Sequence, residues 1–339
     1  MAAVAAVGLM VATAAGCGGD DTATGSETDP ISNDVSSETV LKISDTGTQA
    51  AMELSGLDKK LGFKIEWVAG LPGDQLIQAV RGGSLDAFAG TDSMVYTGTW
   101  GGLDLRTVAL RETVDPLDHP QSAFGISPGS NVTGPEDLKG ASIAYPPGAQ
   151  PSVTILLLLD KLGLSPDDVE MVEMPTTTPD VYLRALANDQ VDVAPLNLNR
   201  GHLQQYLAQY GDKGGSYFQP GVREDAYMLI ANGEVLRDSE KAAAMKQFTE
   251  VWQEAQLWIN ENPKEFAAGY YSKVLGLPVP AAEELVENLG TFDVPKDWSE
   301  SMKRFQVNAD LLAEFQDMEE LDVNDLFDRR FEPDAPEAS

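Results

Sequence analysis

From Val40 onward, short apolar runs alternate with amphipathic stretches, which is the sequence sign of an α/β sheet protein. VLKIS at 40–44 reads as a strand, Asp45-Thr46-Gly47-Thr48 as a turn and helix start, and the helix runs on to about Leu61. FKIEWV at 63–68 is a second strand, Gln75 to Val80 a short helix between glycines, and Ser84 to Ala89 the next strand. A second block repeats the plan. Ala141 to Ala144 is its strand, Tyr145 to Gln150 a Pro/Gly turn, and Pro151 the first position of the largely buried helix VTILLLLDKLG. Val169 to Met174 reads as a strand, Asp180 to Asn188 as a helix, and Val191 to Ala194 as another strand. The blocks echo each other without a strict period, so the chain is not a solenoid.

The last third reads as helical. Within Ser239 to Glu261, residues Met245, Phe248, Trp252, Ala255 and Ile259 recur at spacings of 3 and 4, which puts them on one face. Core packing is the expectation for Trp252 and Trp258. Asn262-Pro263 ends this helix and starts the next as cap and first helical residue. Residues 310–339 hold eleven acids and two arginines, so this end is expected to be a solvated docking segment and tail.

Charge narrows the function. The 339 residues carry 54 Asp+Glu against 23 Lys+Arg, a net charge of −31, which argues against a nucleic-acid-binding surface. At 42% hydrophobic residues the chain can bury a core, and its length suggests two lobes. One cysteine, Cys17, rules out an intrachain disulfide or a multi-cysteine metal cage, and His119 and His202 are too few for a histidine metal cluster. His119 lies in Asp115-Pro116-Leu117-Asp118-His119-Pro120 and reads as a proline-rich surface turn. No metal site or cofactor is implied.

Residues 1–16 read as a signal peptide. Ala2 to Gly16 form an uncharged, mostly apolar stretch, short for a permanent membrane span but suited to an export signal. The stretch ends in Ala14-Ala15-Gly16-Cys17, which resembles the lipobox of bacterial lipoproteins. The resemblance implies cleavage before Cys17 and lipidation of that residue, hence an extracytoplasmic protein anchored to the bacterial cell membrane. No Lys or Arg precedes the apolar stretch, so a longer natural signal beginning upstream of Met1 is expected. Residues 17–39 carry the lipidated cysteine and a disordered tether, with six acids and no Lys or Arg between 18 and 39.

Four stretches, in order, resemble the solute-binding proteins of nitrate/sulfonate/taurine-type (NitT/TauT) ABC transporters. They are Gln75 to Asp86, the turn Thr91-Asp92-Ser93, Glu136-Asp137-Leu138-Lys139-Gly140 through Ala144, and Leu183 to Asp192. The resemblance covers about 40–330. It implies a type II periplasmic-binding-protein fold: two α/β lobes, a ligand cleft between them and two hinge crossings. Lobe 1 would comprise 40–122 and the return 224–339, with lobe 2 at 123–223. The implied partners are a small-molecule solute, an ABC permease and its ATPase subunit, with the protein itself a monomer.

The crevice of an open α/β sheet lies at strand C-terminal ends, where free N–H groups at helix starts attract anions. Three loops are placed there: Asp45-Thr46-Gly47-Thr48-Gln49, Gly90 to Ser93 with Thr91 and Asp92, and Pro147 to Ser152 with Gly148, Ala149 and Gln150. Arg200, following a strand in Pro195-Leu196-Asn197-Leu198-Asn199-Arg200, is the cation expected nearest the ligand, with Asn197 and Asn199 beside it. Tyr227 at the return crossing could stack on a ring.

The chain departs from the family at two places. Asn197 to Arg200 stand where Trp-Asp-Pro-Tyr-like residues are common, and Pro147-Gly148-Ala149-Gln150 replaces a lysine-glycine-serine-serine turn. Asp45 and Asp92 at the crevice leave room for a nitrogen-containing ligand such as a pyrimidine or thiamine precursor. The leading expectation is an importer receptor for a small solute such as a sulfonate, nitrate or taurine-like anion. A receptor for the thiamine-precursor type and an enzyme on the same scaffold are the alternatives. Covalent cysteine catalysis in the mature body is ruled out because the only thiol is Cys17.

Overall fold

A computed structural model describes residues 31–174, 181–198, 201–224 and 227–333. Cys17, Asn199 and Arg200, singled out above, lie outside the described residues.

The first half of the chain runs β1 (Val40–Ser44), α1 (Thr46–Ser55), β2 (Lys64–Trp67), α2 (Gly73–Arg81), β3 (Ala87–Gly90), α3 (Asp92–Trp100) and β4 (Leu105–Thr113). It crosses to β5 (Ser122–Ile126), β6 (Ser142–Tyr145), α4 (Gln150–Lys161), β7 (Glu170–Glu173), α5 (Val181–Ala187), β8 (Val193–Asn197), α6 (His202–Tyr210) and β9 (Ser216–Phe218). The return brings β10 (Tyr227–Asn232), α7 (Gly233–Leu236), α8 (Ser239–Glu261), α9 (Pro263–Phe266), a π-helical turn at Ala267–Ser272, α10 (Val279–Leu289), β11 (Phe292–Asp293) and α11 (Ser299–Gln316).

Two mixed sheets result, which is the type II periplasmic-binding fold expected from the sequence. The first has the order β11-β4-β10-β3-β1-β2 and the second β7-β6-β8-β5-β9. β1 lies parallel to β2 and β3, and the returning β10 inserts antiparallel between β3 and β4. The chain passes between the sheets after β4 and again after β9.

Several elements form where local chemistry demands. Asp45 caps α1 by accepting the Thr48 N–H at 3.0 Å, and the helix stops at Gly56, whose φ of 75° is left-handed. That glycine is why the α-helix ends six residues before Gly62 and gives way to a short 3₁₀ turn, rather than running to Leu61. Asp238 caps α8, and Asn262-Pro263 closes it and opens α9 as the sequence indicates. Met245, Phe248, Trp252, Ala255 and Ile259 are all buried; Trp258 is half-buried against the same core.

The acidic C-terminal end is not free along its described length. Val323, Leu326, Phe327 and Phe331 sink into the first core, and Phe327 packs against Trp298 with ring centroids 5.5 Å apart. Asp328 pairs with Arg330, and Glu332 with Arg329, so the acids here are partly neutralised by their own neighbours. Counting charge over the segment had hidden its apolar spacing.

Helix α4 follows β6 of the second sheet yet belongs to both cores. Val153 and Leu156 pack in the first-sheet core, while Ile155, Leu158 and Leu159 pack in a core under the second sheet. A helix apolar all round is buried all round. Gly148, just ahead of α4, has φ +66°, and a Cβ there would sit 2.7 Å from the Thr97 methyl, so the loop presses against α3. Tyr145 and Phe315 meet edge to face at 5.2 Å across the same boundary.

Glu224 ties the crossings together. Its buried carboxylate accepts the Gln121 and Ser122 N–H groups at 2.8 and 2.7 Å, the Ser122 hydroxyl at 2.6 Å and the Thr154 hydroxyl at 2.8 Å. Burial, the dominant cause, still raises its pKa above the ordinary value against all four bonds.

Candidate functional site

Two cavities flank the crossings, and β4 serves both. Successive side chains of a strand point to opposite faces. Arg111 therefore lines one cavity and Glu112 the other.

The first cavity has a volume of about 180 Å³. Its walls come from the start of α1 (Asp45, Gly47, Thr48), β4 and β10 (Arg111, Thr113, Tyr227), the crossing (His119, Pro120, Gln121) and α8 (Gln256, Ile259). Phe266, Tyr270, Tyr271, Asn288, Leu289 and Phe292 close it from the C-terminal helical segment. Gly47 faces the Tyr270 ring, and a Cβ at that position would make an ordinary contact with it at 3.8 Å. The π-helical turn carries Tyr270 and Tyr271, whose rings meet edge to face at 5.0 Å.

Arg111 is the cation of this cavity. Its guanidinium carbon lies 3.7 Å from the Phe292 ring centroid and 4.6 Å from that of Tyr227, and Nη1 donates to Gln256 Oε1 at 2.7 Å. Burial lowers its pKa from the ordinary value, opposed by Tyr227, Asp45 and Tyr271. An arginine nonetheless stays charged at neutral pH, and four of its five N–H donors have no protein acceptor among the described residues. Such a cation, over two rings and on the wall of a cavity, is suited to receive an oxyanion.

Asp45 is the nearby carboxylate, but its oxygens are occupied. Oδ1 accepts the Thr48 N–H and a long bond from the Tyr227 hydroxyl at 3.5 Å, and Oδ2 accepts the Trp252 indole N–H at 2.9 Å. It holds the α1 start and Trp252 in place. The Tyr227 hydroxyl has its pKa pushed well up, first by burial and then by Asp45; that of Tyr271 is pushed up to about 12 by burial and Tyr270. Both stay neutral donors, and the Tyr271 hydroxyl has no hydrogen-bond partner among the described residues. Thr46 reaches the Tyr270 hydroxyl at 2.9 Å.

The second cavity, about 200 Å³, lies between α3, α4, α11 and the second crossing. Glu112 there accepts from Arg223 at 2.7 Å, from Ser301 at 2.6 Å and from Arg304. Asp92 is buried and accepts from the Ser93 N–H, Tyr96 and Asn308; burial, the largest cause, raises its pKa.

The sequence-predicted residues thus fall into three groups. Asp45, Gly47, Thr48 and Tyr227 meet in the first cavity, with Thr46 behind them; Asp92 and Gln150 line the second. The remainder face neither. Gln49 pairs along α1 with Glu53 at 2.8 Å, and Thr91 bonds Ser93 at 3.0 Å. Ser152 is fully buried with its hydroxyl on the Pro146 carbonyl, Gly148 and Ala149 form the turn packed beside α3, and Asn197 sits exposed at the end of β8. Arg111, Tyr270, Tyr271 and His119 were not anticipated as site residues. His119 follows the exposed turn at Asp115 to Asp118, as the sequence indicates, and its Nδ1 lies 3.2 Å from the Asn288 carbonyl, which ties that turn to α10.

Chemically this arrangement binds and orients. The first cavity is lined by no Cys, Ser or Lys, and among the described residues no group of three or more His, Cys, Asp or Glu could hold a metal ion.

Comparison with known proteins agrees with this architecture. The fold resembles the periplasmic aliphatic sulphonate binding protein SsuA of Escherichia coli, with a TM-score of 0.67 and 20% identity over 85% of this chain and 91% of that one. It also resembles the alkanesulfonate-binding protein SsuA of Xanthomonas axonopodis pv. citri bound to MOPS, at 0.65 and 20% over 86% and 99%. A third likeness, a sulfonate-binding SsuA from Methylobacillus flagellatus KT described as putative, scores 0.65 at 17% identity over 88% and 93%. No curated protein matches the sequence. The model of the NMT1/THI5-like family matches residues 59–266, well over half the chain, and the protein belongs to that family.

Proposed function

We propose that the protein is the extracytoplasmic solute-binding component of an ABC importer, holding a small oxyanion in the first cavity and passing it to a membrane permease and its ATPase. In this reading Cys17 carries the lipid that keeps the receptor beside that permease. The observation that carries it is Arg111: a desolvated guanidinium with one protein hydrogen bond, lining a cavity beside the N-terminus of α1. Its desolvation cost is offset when an anion docks. The positive end of α1 contributes up to about 2 kcal/mol in a partly buried setting, and charge-assisted hydrogen bonds about 1.5–3 kcal/mol each. Together these approach the roughly 8 kcal/mol of micromolar binding.

The sulfonate-binding relatives support an oxyanion over a cationic nitrogen ligand, since Asp45 already spends its oxygens on Thr48, Tyr227 and Trp252. A thermal-shift titration with benzenesulfonate and methanesulfonate tests the reading. At about a hundred times Kd, mass action adds about 2.7 kcal/mol, or roughly 4 °C in Tm for a chain of this length. Arg111→Met, which keeps an apolar stem against Phe292, is expected to abolish that shift while leaving the unliganded Tm within a few degrees. An equal shift in the variant, or turnover of the anion without a permease, would remove the proposal.

A further inference from the structure

Building on the receptor reading, we infer that the first cavity selects an aromatic monoanion, a single ring bearing one oxyanion group and no second charge. The charges on its lining come first. Arg111 is its cation, and Asp45 is its one carboxylate. Both Asp45 oxygens are already accepting from Thr48, Tyr227 and Trp252. An ammonium group entering with the anion would therefore lose its water and find no free carboxylate, a cost that disfavours zwitterions such as taurine.

Size and wall chemistry then set the body of the solute. About 180 Å³ is far more room than an inorganic oxyanion fills; a cavity of about 150 Å³ lined by Leu, Ile and Phe accommodates benzene. Five aromatic side chains line the space, at Tyr227, Phe266, Tyr270, Tyr271 and Phe292, with Ile259 and Leu289 completing the apolar wall. Phe292 and Tyr227 lie against Arg111 and leave its N–H edge as the polar end. Tyr271 stands edge-on to both Phe266 and Tyr270, so the wall offers ring edges as well as faces, the geometry that rewards an aromatic guest beyond its buried area.

The test compares benzoate with cyclohexanecarboxylate, which match in size and charge, and benzenesulfonate with taurine, which adds a second charge and lacks the ring. Isothermal titration of the full chain, in one buffer at one salt concentration, uses benzoate, cyclohexanecarboxylate, benzenesulfonate and taurine. Benzoate is expected to bind about tenfold tighter than cyclohexanecarboxylate, and benzenesulfonate at least about tenfold tighter than taurine. Tyr271→Leu is expected to bring the ratio of benzoate to cyclohexanecarboxylate affinity in the variant close to one, with circular dichroism confirming that the variant is folded. The ligand comparison in the unaltered chain stands without the variant. Equal or tighter binding of cyclohexanecarboxylate overturns the aromatic selection while leaving the anion receptor intact, and tighter taurine binding overturns the single-charge requirement. Failure of all four ligands to bind removes the receptor reading itself.

Discussion

Leu159→Ala gives the most direct measure of how tightly the two halves are joined. Leu159 is 1% exposed and packs under the second sheet with Ile155 and Leu158, while Val153 and Leu156 of the same helix pack under the first. All five tryptophans, at 67, 100, 252, 258 and 298, lie on elements of the first-sheet half. Tryptophan fluorescence therefore reports that half alone, and far-ultraviolet circular dichroism reports the whole chain. Truncating a buried leucine costs about 2–5 kcal/mol. Taking about 3 kcal/mol and a urea slope of about 3 kcal/mol/M for a chain of this size, the midpoint falls by about 1 M. If α4 couples the cores, the fluorescence midpoint falls by that amount and stays coincident with the dichroism, although no tryptophan touches the altered core. A fluorescence midpoint that holds while the dichroism transition shifts or splits would refute the coupling, and the halves would then be independent units.

The remaining predictions concern pH and location. Asp92 and Glu224 have folded pKa values raised above 3.8 and 4.5, mainly by burial, so the folded state binds more protons just above those values and stability falls as pH rises through that window. Asp168, lowered to about 2 chiefly by the Ser165 N–H, together with the lowered Asp192, acts oppositely, and its contribution is lost as pH falls below about 3.8. The Tm is thus expected to rise as pH falls toward the ordinary carboxylate range and to drop below about 3.8; an identical upper rise in an Asp92→Asn, Glu224→Gln variant would contradict the assignment. For the proposed anchor, Cys17→Ser expressed with its native signal should move the protein from the membrane fraction to the soluble one, and wash-resistant retention would count against lipidation.

What the sequence disclosed follows from how local each signal is. Helix α8 was readable to its end residues because Asp238 and Asn262-Pro263 are local stop and start chemistry, and its buried stripe is a period carried within one element. β1 and the alternation that sets the fold class were legible for the same reason. β4 went unread although Gly101-Gly102 and Asp115-Pro116 bracket it, because Arg106 and Arg111 interrupt its apolar run. Arg111 becomes a site residue only when β10, more than a hundred residues later, lays Tyr227 beside it in register. Asp45, Gly47 and Thr48, read from a loop at a strand end, and Tyr227, read from the return crossing, line one cavity. Loop position could not show that α4 would press the Gly148 turn onto α3 and bury Ser152. Those outcomes depend on packing between the halves, which no single stretch encodes.

The adjacency of Arg111 and Glu112 makes the character of both chambers a matter of parity. Deleting any one residue between Leu105 and Leu110, with the downstream end of β4 kept in place, would leave the solute chamber unchanged. Keeping the upstream pairing with β10 instead would swing a carboxylate toward the guest and turn the guanidinium toward Arg223 and Arg304. Under the proposed function, a receptor for negative cargo would then repel it, without a single substitution in its lining.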